Sequence, residues 1–126
     1  MKSLAVAIGL LIIQLPAAFA QSGQASWYGE DHRGKPMANG RPFDPDRLTA
    51  ASWFYPLGTK VRVTLRDPAN EHSNQPAPSV VVTITDRGPA RRLARSGRVI
   101  DLSRAAFHNL AALELGLVDV QVNALR

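Results

Sequence analysis

The chain has 126 residues, with 15 Lys and Arg against 10 Asp and Glu, and a formal net charge of +5. That length is one small domain, large enough to bury a core. It contains no cysteine, which excludes disulfide staples, thiol catalysis and thiolate metal sites, so packing alone must hold the fold.

Residues 1–20 read as a cleaved export signal. Lys2 gives a short positive start. Leu4 to Leu15 is almost wholly apolar but too short to span a bilayer comfortably, and Ala18-Phe19-Ala20 is the small-x-small pattern of a cleavage site. Cleavage after Ala20 leaves 21–126 as a single domain; an uncleaved anchor is the alternative. No cysteine follows the apolar run to carry a lipid. The expectation is a soluble protein of the periplasm, cell envelope or medium with no stable membrane anchor. In a cytosolic protein the positive charge would point to nucleic acid. Export redirects it to the cell wall or anionic lipid, or leaves it as an aid to solubility, and no nucleic-acid partner is expected.

Gln24 to Tyr28 forms a first strand, on which the adjacent Trp27 and Tyr28 face opposite sides. One belongs to the core and the other is free to stack on a sugar ring. Glycines and prolines from Gly29 to Pro45 mark an irregular stretch. Leu48 to Ser52 is a short strand. The aromatic group Trp53, Phe54 and Tyr55 follows, expected in the core with one member exposed, and then a turn over Pro56 to Thr59. Lys60 to Leu65 alternates polar and apolar residues, the mark of a half-buried strand. Arg66 to Ser79 is a Pro-, Asn- and Ser-rich loop. Val80 to Thr85 reads as a buried strand that stops at Asp86, fixed by a Gly-Pro turn. Arg91, Arg92, Arg95 and Arg98 then form a basic loop, either solvated or in contact with anionic wall polymers. Val99 to Leu102 is a strand, and Ser103 caps a helix from about Arg104 to Leu115 that Gly116 ends. Leu117 to Leu125 closes the fold, with Val118, Val120, Val122 and Ala124 on one side. Five or six short strands and one helix fit a small closed β-barrel.

Seven motifs occur in order: Ala25-Ser26-Trp27-Tyr28-Gly29, Met37-Ala38-Asn39-Gly40, Phe43-Asp44, Leu48-Thr49-Ala50-Ala51, Pro56-Leu57-Gly58-Thr59, Thr85-Asp86-Arg87-Gly88-Pro89 and Ile100-Asp101-Leu102-Ser103. Together they resemble the rare lipoprotein A (RlpA-like) family, from about Ala25 to Val122. The resemblance implies a mainly β fold, a six-stranded double-psi β-barrel with one short helix, akin to expansins and barwin. It implies lytic transglycosylase activity on peptidoglycan glycan strands, without a cofactor and often near the division septum. Asp44, Asp86 and Asp101 match the family's catalytic positions, and Thr49 matches a groove position. Arg87, beside Asp86, joins Trp27, Tyr28 and Thr49 as a candidate substrate-binding residue. Two positions depart from the family: Arg41 stands where glutamate is usual, and Ser52 where histidine is usual. The lipid-bearing cysteine and the separate C-terminal module of longer members have no counterpart, so a minimal form is expected.

A lytic transglycosylase protonates the leaving oxygen while the sugar's own hydroxyl attacks to give an anhydro end, so one tuned carboxylic acid can serve as acid and then base. Asp86, beside Val and Ile, is the candidate acid. Asp101 would sit near it by family analogy and push one carboxyl up. Asp101 alternatively caps the following helix, and Asp44 before Pro45 alternatively forms an Asx turn. His32, His72 and His108 lie far apart at no metal-ligand spacing, and no metal site is expected. His72 reads as a loop residue, His108 as a helix-surface residue, and His32 as one that could lie near the groove. Arg41 and Ser52 favour a different class, a non-catalytic wall-binding or wall-loosening barrel of the expansin kind. A third class is a partner that docks a septal complex through the basic loop.

Overall fold

The computed structural model describes residues 20–126. The export signal, apart from Ala20, lies outside the described residues. Six strands, β1 (Ala20–Tyr28), β2 (Thr49–Ala51), β3 (Lys60–Leu65), β4 (Ser79–Asp86), β5 (Arg98–Ser103) and β6 (Leu117–Ala124), close into a barrel in the order β1-β5-β2-β4-β3-β6. β1 runs parallel to β5 and β2 parallel to β4, while the other four pairings are antiparallel. Closure leaves no free sheet edge.

Side-chain alternation builds the core. In β3, Val61 and Val63 are fully buried between exposed Lys60 and Arg62. Ile84, Ile100, Leu102, Val120 and Val122 fill the interior with them. β4 departs from the buried strand that its apolar run suggests: Val81 is exposed, because a barrel strand has one face out.

Two short helices are present rather than one. The basic loop contains α1 (Arg91–Arg95). The expected helix from Arg104 to Leu115 is only α2 (Arg104–His108), followed by a 3₁₀ turn at Leu113–Leu115 that Gly116 ends at φ +67°. Ser103 does cap it, accepting from the Ala106 N–H at 3.3 Å. The helix stops early because Phe107 and Leu110 turn together into the barrel end, and Asn109 between them is a poor helix former. The aromatic group also differs from expectation: Tyr55 is buried, but Trp53 and Phe54 are both exposed.

Candidate active site

Strand register assembles the site. Ala51 of β2 pairs with Asp86 of β4 on one side and Asp101 of β5 on the other, and Asp101 pairs in turn with Ser26 of β1. The two aspartates are thus two strand spacings apart, about 9.5 Å between backbones, with the smallest β-carbon side chain between them. Ser26 and Tyr28 share one face of β1 because they are two residues apart.

Each carboxyl is held differently. Asp86 Oδ1 accepts from two backbone N–H groups, Ala38 at 2.9 Å and Arg87 at 2.8 Å. Its own carbonyl accepts from the Ser52 N–H. Asp101 Oδ1 accepts from the Ser26 hydroxyl at 3.1 Å. Burial pushes the Asp101 carboxyl up to about 6, against the Ser26 hydrogen bond and the charges of Arg98 and His32, with the Asp86 charge adding to the rise.

Tyr28 is near enough to this row for both aspartates to act on its hydroxyl. Its ring stacks on Phe43, centroids 4.2 Å apart, and meets the His32 ring edge-on at 5.5 Å. Its buried hydroxyl has no hydrogen-bond partner among the described residues. Burial, followed by the charges of Asp86 and Asp101, holds that hydroxyl well above the ordinary phenol range, so it remains a proton donor. A hollow of about 450 Å³ opens on the far side of the Tyr28 segment, lined by Trp27, Tyr28, Gly29, Glu30, Asp31, His32 and Arg104, and neither aspartate lines it.

The other residues singled out from the sequence fall in different surroundings. Trp27 turns away from Tyr28: its indole N–H donates to the Leu113 carbonyl at 3.0 Å and its ring packs near Phe107. The Arg87 guanidinium donates to the carbonyls of Ser52 and Tyr55, at 2.8 and 2.6 Å, and so pins the chain after β2. Thr49 has a buried hydroxyl without a partner among the described residues and lines a second hollow, of about 290 Å³, with Arg41, Asp44 and Thr85. Asp44 makes the Asx turn, accepting from the Asp46 N–H at 2.9 Å, and its carboxylate also meets Arg33 and Arg47. These belong to an exposed cluster in which Arg33 and Arg104 both reach Glu30 and Asp46. Arg33 holds the Glu30 carboxyl down to about 2. Ser52 is fully buried, its hydroxyl donating to the Val99 carbonyl and accepting from the Phe54 N–H. Arg41 is exposed.

The structure therefore brings together Asp86, Asp101 and Tyr28, and adds Ser26 and Phe43, which the sequence reading did not single out, and His32. Ser26 was accessible from strand alternation alone. Among the described residues no group of three or more His, Asp or Glu is placed to hold a metal, and no helix is long and apolar enough to cross a membrane.

Comparison with known proteins gives a consistent answer. Residues 20–122 match the family model described as lytic transglycolase. The chain is 35% identical over 114 residues to the endolytic peptidoglycan transglycosylase RlpA of Vibrio cholerae, covering 90% of this chain and 39% of that protein. It is 44% identical over 99 residues to the Yersinia pestis protein of the same name, covering 79% of this chain and 24% of the relative. The chain thus spans well under half the length of these relatives. Among solved structures, a Streptomyces papain inhibitor superposes with a TM-score of 0.60 at 24% identity, covering 86% of this chain and 96% of the inhibitor. The apo expansin of Clavibacter michiganensis superposes with a TM-score of 0.59 at 22% identity, covering 86% and 51%. These two likenesses concern the fold alone. With the closed six-strand barrel and the ordered motifs already described, the match over 20–122 places the chain in the RlpA-like lytic transglycolase family of double-psi β-barrels.

Proposed function

We propose that this protein is exported and cleaves peptidoglycan glycan strands as an endolytic lytic transglycosylase. The observation that carries the reading is the row Asp86–Ala51–Asp101, which sets two carboxyls on strands either side of one alanine. Asp86 is the acid/base at the cleaved bond. Two backbone amides fix one of its oxygens, and no hydrogen bond among the described residues reaches the other. Asp101 keeps its proton up to a pH near 6 and is the neighbouring reservoir. Tyr28 flanks the row, its ring plane fixed by the stack on Phe43 and its hydroxyl enclosed.

In the reaction the acid protonates the glycosidic oxygen and the bond to the muramyl anomeric carbon breaks. A hydroxyl of the same muramyl sugar attacks that carbon, and the carboxylate recovers the hydroxyl proton. No water is consumed, and the product ends in an anhydro sugar. Cleavage of the export signal after Ala20 leaves Gln21 as the first residue, whose side chain accepts a hydrogen bond from the Tyr55 hydroxyl at 3.0 Å.

Ser52 favours a second reading, a glycan-binding barrel without bond cleavage. It occupies the position where the family usually has histidine, and its hydroxyl is wholly engaged in internal hydrogen bonds. Digestion of purified sacculi, followed by mass spectrometry for anhydro-muramyl ends, separates the two. Ends that appear with the wild type and vanish with Asp86→Asn support cleavage. Sedimentation with sacculi without any anhydro product supports the binding barrel.

A further inference from the structure

A chemically different surface begins two residues after Ala51. Trp53 and Phe54 are 38% and 50% exposed, yet both are held in place. The Trp53 indole N–H donates to the Pro89 carbonyl at 2.6 Å, and Arg87 fixes the carbonyls of Ser52 and Tyr55 on either side. Facing them is α1. Arg91 lays its guanidinium over the Trp53 ring, 4.4 Å from the centroid. Arg95 follows at i+4, on the same helix face. These four side chains and Ala94 line an open hollow of about 550 Å³.

The charge here is unlike that of the cluster around Arg33 and Arg104, where Glu30 and Asp46 neutralise both arginines. Among the described residues no carboxylate pairs with Arg91 or Arg95. A guanidinium stacked on an indole has given up much of its freedom before a ligand arrives, while its N–H edge stays available for a carboxylate. Phe54 beside it presents an apolar face. A ligand that answers both features carries a carboxylate on a ring with an apolar face. The backbone of this surface is continuous with the catalytic row, since the Ser52 N–H donates to the Asp86 carbonyl.

We propose that the Trp53–Phe54–Arg91–Arg95 hollow is a subsite for the lactyl carboxylate of a muramyl sugar beyond the cleaved bond. Arg91 and Arg95 hold the carboxylate and Phe54 takes the sugar face. The subsite rests on the glycan-strand reading above and extends it to a named recognition element outside the aspartate row.

The test is calorimetric titration of the purified protein with a GlcNAc–MurNAc tetrasaccharide, as the free acid and as the methyl amide. The wild type is expected to bind the free acid about tenfold more tightly. Arg91→Gln combined with Arg95→Gln is expected to abolish that preference with an unchanged melting temperature. Phe54→Ser is expected to weaken both forms alike. Equal wild-type affinity for the two forms, or a preference that survives in the double variant, overturns the subsite while leaving the glycan reading intact. Binding of neither form by the wild type overturns both.

Discussion

Asp86 and Asp101 stand on either side of Ala51, paired to it through two different strands, and both charges act on the single hydroxyl of Tyr28. The pair is asymmetric. Asp86 is oriented by the backbone, whereas Asp101 is buried with a serine as its hydrogen-bond donor. That asymmetry separates a carboxyl held in one orientation by the backbone from one whose proton is held more tightly by burial.

Replacing Asp86 by Asn preserves the acceptor for the Ala38 and Arg87 amides but removes the acid. Release of anhydro-muramyl ends is expected to fall by about 10²-fold or more, the scale of a lost general acid. The melting temperature is expected to stay within a few degrees of wild type.

Asp101 makes stability depend on pH. Its carboxyl is raised to about 6 by burial, so the folded chain holds the proton more tightly than the unfolded one. Stability therefore falls as pH rises from about 4 to about 6, and above that the full penalty applies, on the order of 3 kcal/mol. Asp101→Asn keeps an acceptor for Ser26 and removes the charge. Thermal melts should place the variant above wild type near pH 7 and bring the two together near pH 4. A variant less stable than wild type near neutrality would contradict this account.

Tyr28→Phe removes a buried hydroxyl that has no partner among the described residues. Leaving such a group unsatisfied costs about 1–3 kcal/mol, so the variant should be as stable as wild type or more so. Its stack on Phe43 persists. Because the hydroxyl is enclosed, product release in the sacculus digest is expected to stay close to that of the wild type.

Arg87→Met removes two hydrogen bonds from a charged donor to the carbonyls of Ser52 and Tyr55. A loss of roughly 2–4 kcal/mol is expected from denaturant unfolding. Amide exchange should quicken first over residues 52–55, the segment that these bonds fix.

Introducing the histidine usual in the family, by Ser52→His, should not raise activity. The Ser52 side chain has no exposure, and a larger ring there overpacks the site at a cost of about 1–3 kcal/mol. The expected result is a lower melting temperature without a gain in anhydro product.

Where local pattern decides structure, the chain was readable. The bounds of β3 and β4 follow from alternation and from the apolar run that stops at Asp86. β1 begins earlier than its pattern suggests, because Ala20 to Gly23 are held by cross-strand pairing with β6 rather than by apolar residues of their own. α1 was missed because one turn of helix has no period to detect. In the site, Asp86 and Tyr28 were legible from strand ends and motifs. The stack of Tyr28 on Phe43 and the inward turn of Arg87 depend on long-range packing, which sequence spacing does not encode.

With the proposed export signal removed after Ala20, the pairing of Gln21 with Val122 carries a topological consequence. Partners in an antiparallel ladder lie about 5 Å apart, so the first and last strands nearly make the barrel a covalent ring. A short peptide can join those ends. The exposed loop between β3 and β4, which contributes nothing to the aspartate row, can then be opened instead. The permuted chain keeps every ladder in place, and the reordered sequence specifies the same barrel from a different starting point.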